Sequence, residues 1–395
     1  MKKLINHLCL TLGFIITFTS INPVQGQNNV NGTVNTIITA VPFLKIVPDA
    51  RSGAMGDVGL AISPDANSMH FNASKLAYAD QDVSISATYT PWLQALELQD
   101  VYIAYLSGYK KIDKLSTVGL SVRYFSLGNI QFTDENGMAL GTARPNEFEI
   151  AAAYARQLSD NLSLGVGLKY IYSSLATNQI VNNQTVRPGQ TVAGDISATY
   201  RTGKGTVFGV EDSELTVAAA ITNLGGRISY TNDADNRDFI PTNLGIGLGY
   251  EMELDEHNSL VFAADFNKLL VPTPTTDDSD GDGIPDYKEE GTFSAIFGSF
   301  SDAPESGEEI REINYSVGVE YWYDKQFAVR AGYYYEDPTK GNRQFFTVGL
   351  GLKYNIFGLN LSYLVPSANQ VNPLNNTLRF SLIFDFGAFS LDPEE

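Results

Sequence analysis

The sequence predicts an all-β protein: a transmembrane antiparallel β-barrel of about fourteen strands with an N-terminal plug-like segment. Three observations predict it. The chain opens on an export signal, most of it alternates apolar and small or polar residues with period two, and its connections sort into a short set and a long set.

Lys2 and Lys3 form a positive start, and Leu8 to Phe18 form an apolar core too short to span a bilayer. Val24 and Gly26 stand three and one residues before an expected cut that leaves Gln27 as the new N-terminus. The only cysteine, Cys9, lies at the start of that apolar core, where a lipid-modified cysteine would instead follow it. The mature chain is therefore expected to lack a disulfide scaffold and a catalytic or metal-binding thiolate. Removing Lys2 and Lys3 leaves 24 Lys and Arg against 45 Asp and Glu, a net charge of −21. Such a chain repels nucleic acid and anionic surfaces. No later apolar run is long enough for a membrane helix, so a membrane form must be a closed barrel, the one sheet that leaves no backbone group unpaired in lipid.

Alternation supplies the strands. In 242–254 Leu244, Ile246, Leu248, Tyr250, Met252 and Leu254 are separated by Gly245, Gly247, Gly249, Glu251 and Glu253. In 161–172 Leu162, Leu164, Val166, Leu168, Tyr170 and Tyr172 alternate mostly with Ser, Gly and Lys169. Ile313 to Tyr323 repeats the pattern with Asn314, Ser316, Gly318 and Glu320 on the other face, and Phe346 to Tyr354 and Leu378 to Phe386 do so again. Fourteen segments result, at 83–92, 100–109, 116–129, 145–158, 161–176, 191–202, 214–224, 242–254, 258–268, 312–324, 326–336, 344–355, 356–364 and 376–387. Most run about ten residues, the length of a tilted strand crossing hydrocarbon. An even count suits a bacterial outer-membrane barrel with both termini in the periplasm.

Starting from the periplasm, every second connection is expected to be short. The turns Lys110–Leu115, Ser159–Asn161, Gly203–Ser213, Asp255–His257, Asp324–Lys325 and the corner Asn355–Phe357 form that set. The other set is 93–99, 130–144, 177–190, 225–241, 269–311, 337–343 and 365–375. A soluble two-sheet β-protein has no reason to sort its loops this way. Aromatic residues gather near strand ends as an interfacial girdle requires, with Tyr321, Trp322 and Tyr323 beside one short turn and Tyr333, Tyr334 and Tyr335 near a long connection. Leu378, Phe380, Leu382, Phe384 and Phe386 alternate up to an aromatic close to the end, as barrel insertion signals do, with a tail beyond.

The inward face is rich in Gly, Ala and Ser, including Ala151, Ala153, Ala155, Ala218 and Ala220. Small inward residues leave room for something other than strand side chains. The stretch 41–80 lacks alternation, contains Pro42, Pro48, Gly53, Gly56, Gly59 and Pro64, and is expected to fold into the lumen rather than lie outside as a periplasmic arm. The expected organisation is thus a signal peptide at 1–26, an N-terminal arm and plug at 27–80, the barrel at 81–387 and a tail at 388–395.

One motif carries explicit chemistry. Asp278, Asp280, Asp282, Gly283, Ile284, Asp286 and Glu289 fit the calcium-loop spacing D-x-D-x-D-G-x5-E. Alternate carboxylates converge on one hard cation, Gly283 permits the sharp turn, Ile284 contributes its carbonyl and Glu289 closes the site with two oxygens. No flanking amphipathic helices are apparent, so an isolated external Ca2+ loop is expected, against the alternative of an acidic solvated loop. Catalytic constellations are poor: His70 and His257 are the mature histidines, neither has a neighbouring nucleophile or zinc-ligand spacing, and each is expected to be an ordinary polar residue. Carboxylates such as Glu251 and Glu253 alternate along a strand and are expected to line the lumen.

The segment Phe43-Leu-Lys-Ile-Val-Pro-Asp49-Ala-Arg51-Ser-Gly53-Ala-Met55-Gly56-Asp57-Val-Gly59-Leu-Ala, followed by Ser63-Pro-Asp65-Ala and Asn72-Ala-Ser-Lys75, resembles the N-terminal region of the PorV family, outer-membrane components of the type IX secretion system of Bacteroidota. That family is related in fold to FadL-type barrels, which take up hydrophobic molecules. The resemblance implies a non-enzymatic adaptor embedded in outer-membrane lipid. Such an adaptor binds the large translocon barrel, receives cargo by its C-terminal signal domain and delivers it to attachment machinery containing a PorU transpeptidase. Two other functions compete: a FadL-like transporter of hydrophobic small molecules, and, more distantly, a membrane-embedded hydrolase. The acidic run at 277–290 is not a feature the resemblance accounts for.

Overall fold

The computed structural model describes residues 35–387 apart from 94–97, 99, 134–137, 177–179, 182–183, 232–236, 282, 305–306 and 366–375. The expected signal peptide, Asp282 of the acidic motif and the tail 388–395 lie outside the described residues.

Fourteen long antiparallel strands close into a barrel. They are β1 (Val83–Pro91), β2 (Val101–Lys111), β3 (Ser116–Leu127), β4 (Asn146–Gln157), β5 (Leu162–Ser174), β6 (Gly189–Arg201) and β7 (Val210–Gly225). The second half is β8 (Asn243–Glu253), β9 (Asn258–Leu269), β10 (Asn314–Tyr323), β11 (Phe327–Tyr335), β12 (Gln344–Tyr354), β13 (Phe357–Val365) and β14 (Leu378–Phe386). Each strand pairs with its sequence neighbours, and β1 closes the ring on β14 with Val83 opposite Phe386 and Tyr89 opposite Phe380. Each of the fourteen expected segments coincides with one strand, and the largest boundary difference is the start of β7, at 210 rather than 214.

The faces follow the pleat. Leu164, Val166 and Leu168 on β5 and Ile246 and Leu248 on β8 are exposed to the lipid side, while Ala155, Ser163, Ala218 and Glu320 are buried inside. One rim carries tight turns, such as Asp324–Gln326, where both Asp324 and Lys325 take positive φ. The other rim carries the long connections. These hold structure that the sequence did not announce: a hairpin of Ile130–Thr133 with Ala139–Ala143, and the helices α2 (Asp286–Glu289), α3 (Thr292–Gly298) and α4 (Glu308–Arg311) in the loop after β9. The expectation that no helix flanks the acidic motif is therefore corrected. Their four to seven residues are too short to show a helical period against a Gly- and Pro-rich background.

Residues 41–80 fill the lumen as a plug of turns, three 3-10 turns and the short helix α1 (Ala50–Gly53). The chain runs the full length of the barrel. Near its start the Asn35 N–H donates to the carbonyl of Thr339 at 3.0 Å and the Ala40 N–H to Phe239 at 2.9 Å, both on the long-loop rim. At its end Ala79 accepts from Lys111 Nζ at 2.8 Å on the short-turn rim, where β1 begins. β14 ends at the short-turn rim beside the start of β1, while the described N-terminal segment starts at the opposite rim; both chain ends lie outside the described residues. A segment that fills a lumen from end to end must enter at one mouth and leave at the other.

Candidate functional site: a sealed lumen and its rim

The plug is held by backbone contact, by buried ions and by apolar anchors. The inward glycines make the first possible. A Cβ at Gly332 would fall on the backbone of Met55 and Gly56, and one at Gly318 would stand 2.5 Å from the Met55 carbonyl oxygen. Gly56 itself has φ +70° and lies against the Tyr333 backbone, a position only glycine takes without strain. Gly249 meets the Ala61 carbonyl in the same way. The small-residue stripe of the wall is thus the complement of the plug's main chain.

The ions sit at the motif residues. Arg51, on α1, donates to both carboxylate oxygens of Glu320 on β10 at 2.7 and 3.0 Å, and to Asp65 at 3.4 Å. Arg330 on β11 donates to the same Glu320 at 2.6 Å and to Asn360 on β13 at 2.9 Å. Asp49 caps α1 by accepting from the Ser52 N–H at 2.9 Å. The N–H groups of Gly59 and Leu60 donate to Asp265 on β9 at 2.7 and 2.9 Å, and Lys75 donates to the Gly59 carbonyl at 2.5 Å. Asn72 donates to the Leu60 carbonyl and to Thr199 on β6, and Asp57 pairs with Arg379 on β14 at 3.5 Å. Arg123 on β3 donates to the carbonyls of Phe43, Leu44 and Ile46 and faces His70. Asp49, Arg51, Gly53, Met55, Gly56, Asp57, Gly59, Asp65, Asn72 and Lys75 are in this way brought together as the plug and its fastenings.

Phe43, Leu44, Met55 and Leu76 are buried in the clusters between plug and wall, each worth about 1.5–3 kcal/mol. The partners of the motif on the wall, Arg123, Asp265, Glu320, Arg330 and Arg379, were not singled out from the sequence. Their signal was present: an ionisable residue on a strand that alternates Gly and Ser inward is expensive unless the lumen supplies its partner.

Two cavities beside the plug have mixed polar and apolar linings. A cavity of about 110 Å³ between plug and wall is lined by Lys45, Lys169, Asn223, Asn267 and Arg343, and a second of about 240 Å³ at the long-loop rim shares Lys45 and Arg343 and adds Glu336 and Lys340. Arg343 donates to both oxygens of Glu336 at 2.7 and 2.8 Å. Burial pushes the Glu336 carboxyl up, but Arg343 outweighs it and holds Glu336 below the usual carboxylate range. Burial, and then the Arg343 charge, push Lys45 down to about 8. The loop after β9 is tied to this rim through ions: Lys268 donates to Glu312 at 2.5 Å and Glu309 at 2.9 Å, and Lys340 pairs with Glu308 and Glu312.

In the acidic motif the structure engages Asp278 and Asp286 with the loop itself. Asp278 accepts from the N–H groups of Gly281 at 2.8 Å and Gly283 at 3.0 Å, and Asp286 from the Ser279 N–H at 2.8 Å. Asp280 and Ile284 lie in the same loop and Glu289 ends α2. Among the described residues no three side chains of ligating type come together to hold a metal. Of the histidines, His70 is in the plug, where Arg123 Nη2 lies 2.6 Å from its Nδ1, and His257 pairs with Asp324 at 2.6 Å in a short turn. Glu251 lines a small cavity under the plug, as alternation implied.

Fold and lumen together define an outer-membrane β-barrel whose interior is closed by its own N-terminal segment. A sequence model of the family described as type IX secretion system protein PorV matches residues 28–276, which include the plug and the first nine strands and stop one residue before the acidic run. The chain belongs to the PorV family. No curated protein sequence matches it. Among solved structures it is similar to the Ralstonia pickettii toluene transporter TbuX, at 11% identity and TM-score 0.49 over 86% of this chain and 98% of that one. It is similar also to the P. putida toluene transporter TodX, at 12% identity and TM-score 0.47 over 86% and 99%. A Pseudomonas aeruginosa FadL homologue matches at 11% identity and TM-score 0.45 over 90% and 100%.

Proposed function

We propose that this protein is a non-enzymatic adaptor of the type IX secretion system. It binds the large translocon barrel, receives cargo proteins by their C-terminal signal domain and passes them to attachment machinery of the PorU type. One observation carries the reading: the charged residues of the family motif are spent inward, on fastening the plug to the wall, which leaves the long-loop rim free to meet partners. Its investment there is large, with 44 residues from Leu270 to Ile313 in one connection. In this reading residues 1–26 are removed on export, and the long loops face outside. The acidic loop binds Ca2+ from its surroundings through Asp278, Asp280, Asp282, Ile284, Asp286 and Glu289, which stiffens the loop without any catalytic part.

The competing transporter of hydrophobic molecules needs a continuous apolar path, and charged side chains, Lys45, Lys169 and Arg343 in one cavity and Lys45, Glu336, Lys340 and Arg343 in the other, interrupt the apolar lining of the cavities beside the plug. The deciding experiment is deletion of the chain in its own cells. Loss of secretion of signal-bearing cargo, with uptake of hydrophobic compounds unchanged, is the expected result. Intact secretion with lost uptake would overturn the adaptor in favour of the transporter.

A further inference from the structure

Exposed apolar side chains on the strands face lipid, but the loop between β9 and β10 carries a set that lies off the wall. On α3 and the turn after it, Ala295, Ile296 and Ser299 are buried, with Ala295 packed among Phe239, Val271 and Ile37. The opposite face presents Phe293, Phe297 and Phe300, which are 70%, 75% and 48% exposed. Spacings of four and three residues put the three rings on one face. Together they expose roughly 400 Å² of aromatic surface, within the range of the largest apolar patch on a soluble protein, which is often functional.

The segment that carries the face is fastened to the rim at both ends. Arg227 stacks on Phe239 at 4.0 Å and donates to the carbonyls of Lys288 and Glu290, which brace the entry to α3. Lys268 and Lys340 brace the exit by gripping α4 and Glu312.

Its frame selects the occupant. Between 270 and 313 the chain has twelve Asp and Glu against Lys288 and Arg311, and nine acids remain after Glu308, Glu309 and Glu312 are set against Lys268 and Lys340. Asp277 and Glu290, which lie outside the proposed Ca2+ ligands, are exposed, and a carboxylate oxygen of Glu290 lies 3.8 Å from the Cβ position at Gly298. An anionic bilayer surface repels such a frame, and a second copy would set the same acidic frame against itself. A different protein with an apolar groove rimmed by Lys and Arg satisfies both the rings and the charges.

We propose that Phe293, Phe297 and Phe300 form the docking face by which this barrel engages a partner protein through a basic-rimmed apolar groove. The proposal deepens the adaptor reading, and rests on it in taking the large translocon barrel as that partner. The test uses the full-length tagged chain in its own outer membrane, solubilised in mild detergent. Replacing all three rings by Ser lowers recovery of the large barrel roughly tenfold or more, since buried aromatic anchors carry most of an interface's energy. The Asp277→Lys/Glu290→Lys variant, with the rings intact, weakens recovery as well, and raising salt weakens the wild-type complex. A photo-crosslinking residue at 297 joins the chain to that same barrel. An unchanged heat-shifted band on a gel shows that each variant is folded. Wild-type recovery by the Ser variant, or a crosslink to lipid or to a second copy alone, overturns the docking face. If deletion of the chain leaves secretion intact, the adaptor reading falls. If deletion stops secretion while the Ser variant secretes and binds normally, only the docking face falls.

Discussion

Glu320 is the centre of the plug's largest ionic fastening, and replacing it tests whether the family motif holds the lumen shut. Its two carboxylate oxygens accept from Arg51 at 2.7 and 3.0 Å and from Arg330 at 2.6 Å, and the side chain is fully buried. Glu320→Gln keeps volume and one acceptor but leaves two guanidinium groups facing each other, with Asp65, among the described residues, the carboxylate still within 4 Å of Arg51. Removing one partner of a buried ion pair costs about 3–5 kcal/mol, because a desolvated charge is left uncompensated. Arg51→Met alone is milder, since Glu320 keeps Arg330. Glu320→Gln with Arg51→Met recovers part of the loss, and that coupling is the signature of a direct pair. Urea unfolding of the protein in lipid vesicles measures the energies, and single-channel recording in planar bilayers reports whether the plug still closes the pore. Full wild-type stability and a silent bilayer for Glu320→Gln, with no coupling to Arg51, would refute the ionic fastening.

A Val at Gly332 drives the plug main chain away from the wall at Met55 and Gly56; steady ion currents in bilayers, absent in the wild type, are the expected result. Glu336 has a folded pKa below its unfolded value of about 4.3, so its contribution is present above that pH and is lost as pH falls through the depressed value; Arg343→Gln flattens this acid limb in unfolding measured between pH 6 and 3. Lys45 has a folded pKa of about 8, below the unfolded value of about 10.4, so its penalty is complete below pH 8 and is relieved as pH rises towards 10; Lys45→Met therefore stabilises the protein at pH 7 and loses that advantage at pH 10. Adding millimolar Ca2+ to protein washed with chelator protects the 277–290 loop from protease, and Asp280→Asn with Glu289→Gln abolishes the protection; equal cleavage with and without Ca2+ would identify the loop as merely acidic.

The sequence by itself determined the barrel. Alternation of the kind seen in Leu244–Leu254 admits one pleated arrangement, and a one-residue slip would turn Gly245, Gly247 and Gly249 to lipid. Short turns alternating with long connections fixed which strands are neighbours, and the small inward residues together with 41–80 implied a filled lumen. The motif residues were visible as a motif, but their partners lie far along the chain: Arg51 meets Glu320, Asp57 meets Arg379, and Gly59 meets Asp265. Only tertiary structure decided these pairings, because closing the barrel brings β9 to β14 around a segment more than two hundred residues upstream. It also decided that the plug threads from the long-loop rim to the short-turn rim, and that Phe293, Phe297 and Phe300 share an exposed face. The spacing of the three aromatics is helical, but two turns of it do not say which face is covered; it is the packing of Ala295 against Phe239 and Val271 that turns their rings outward.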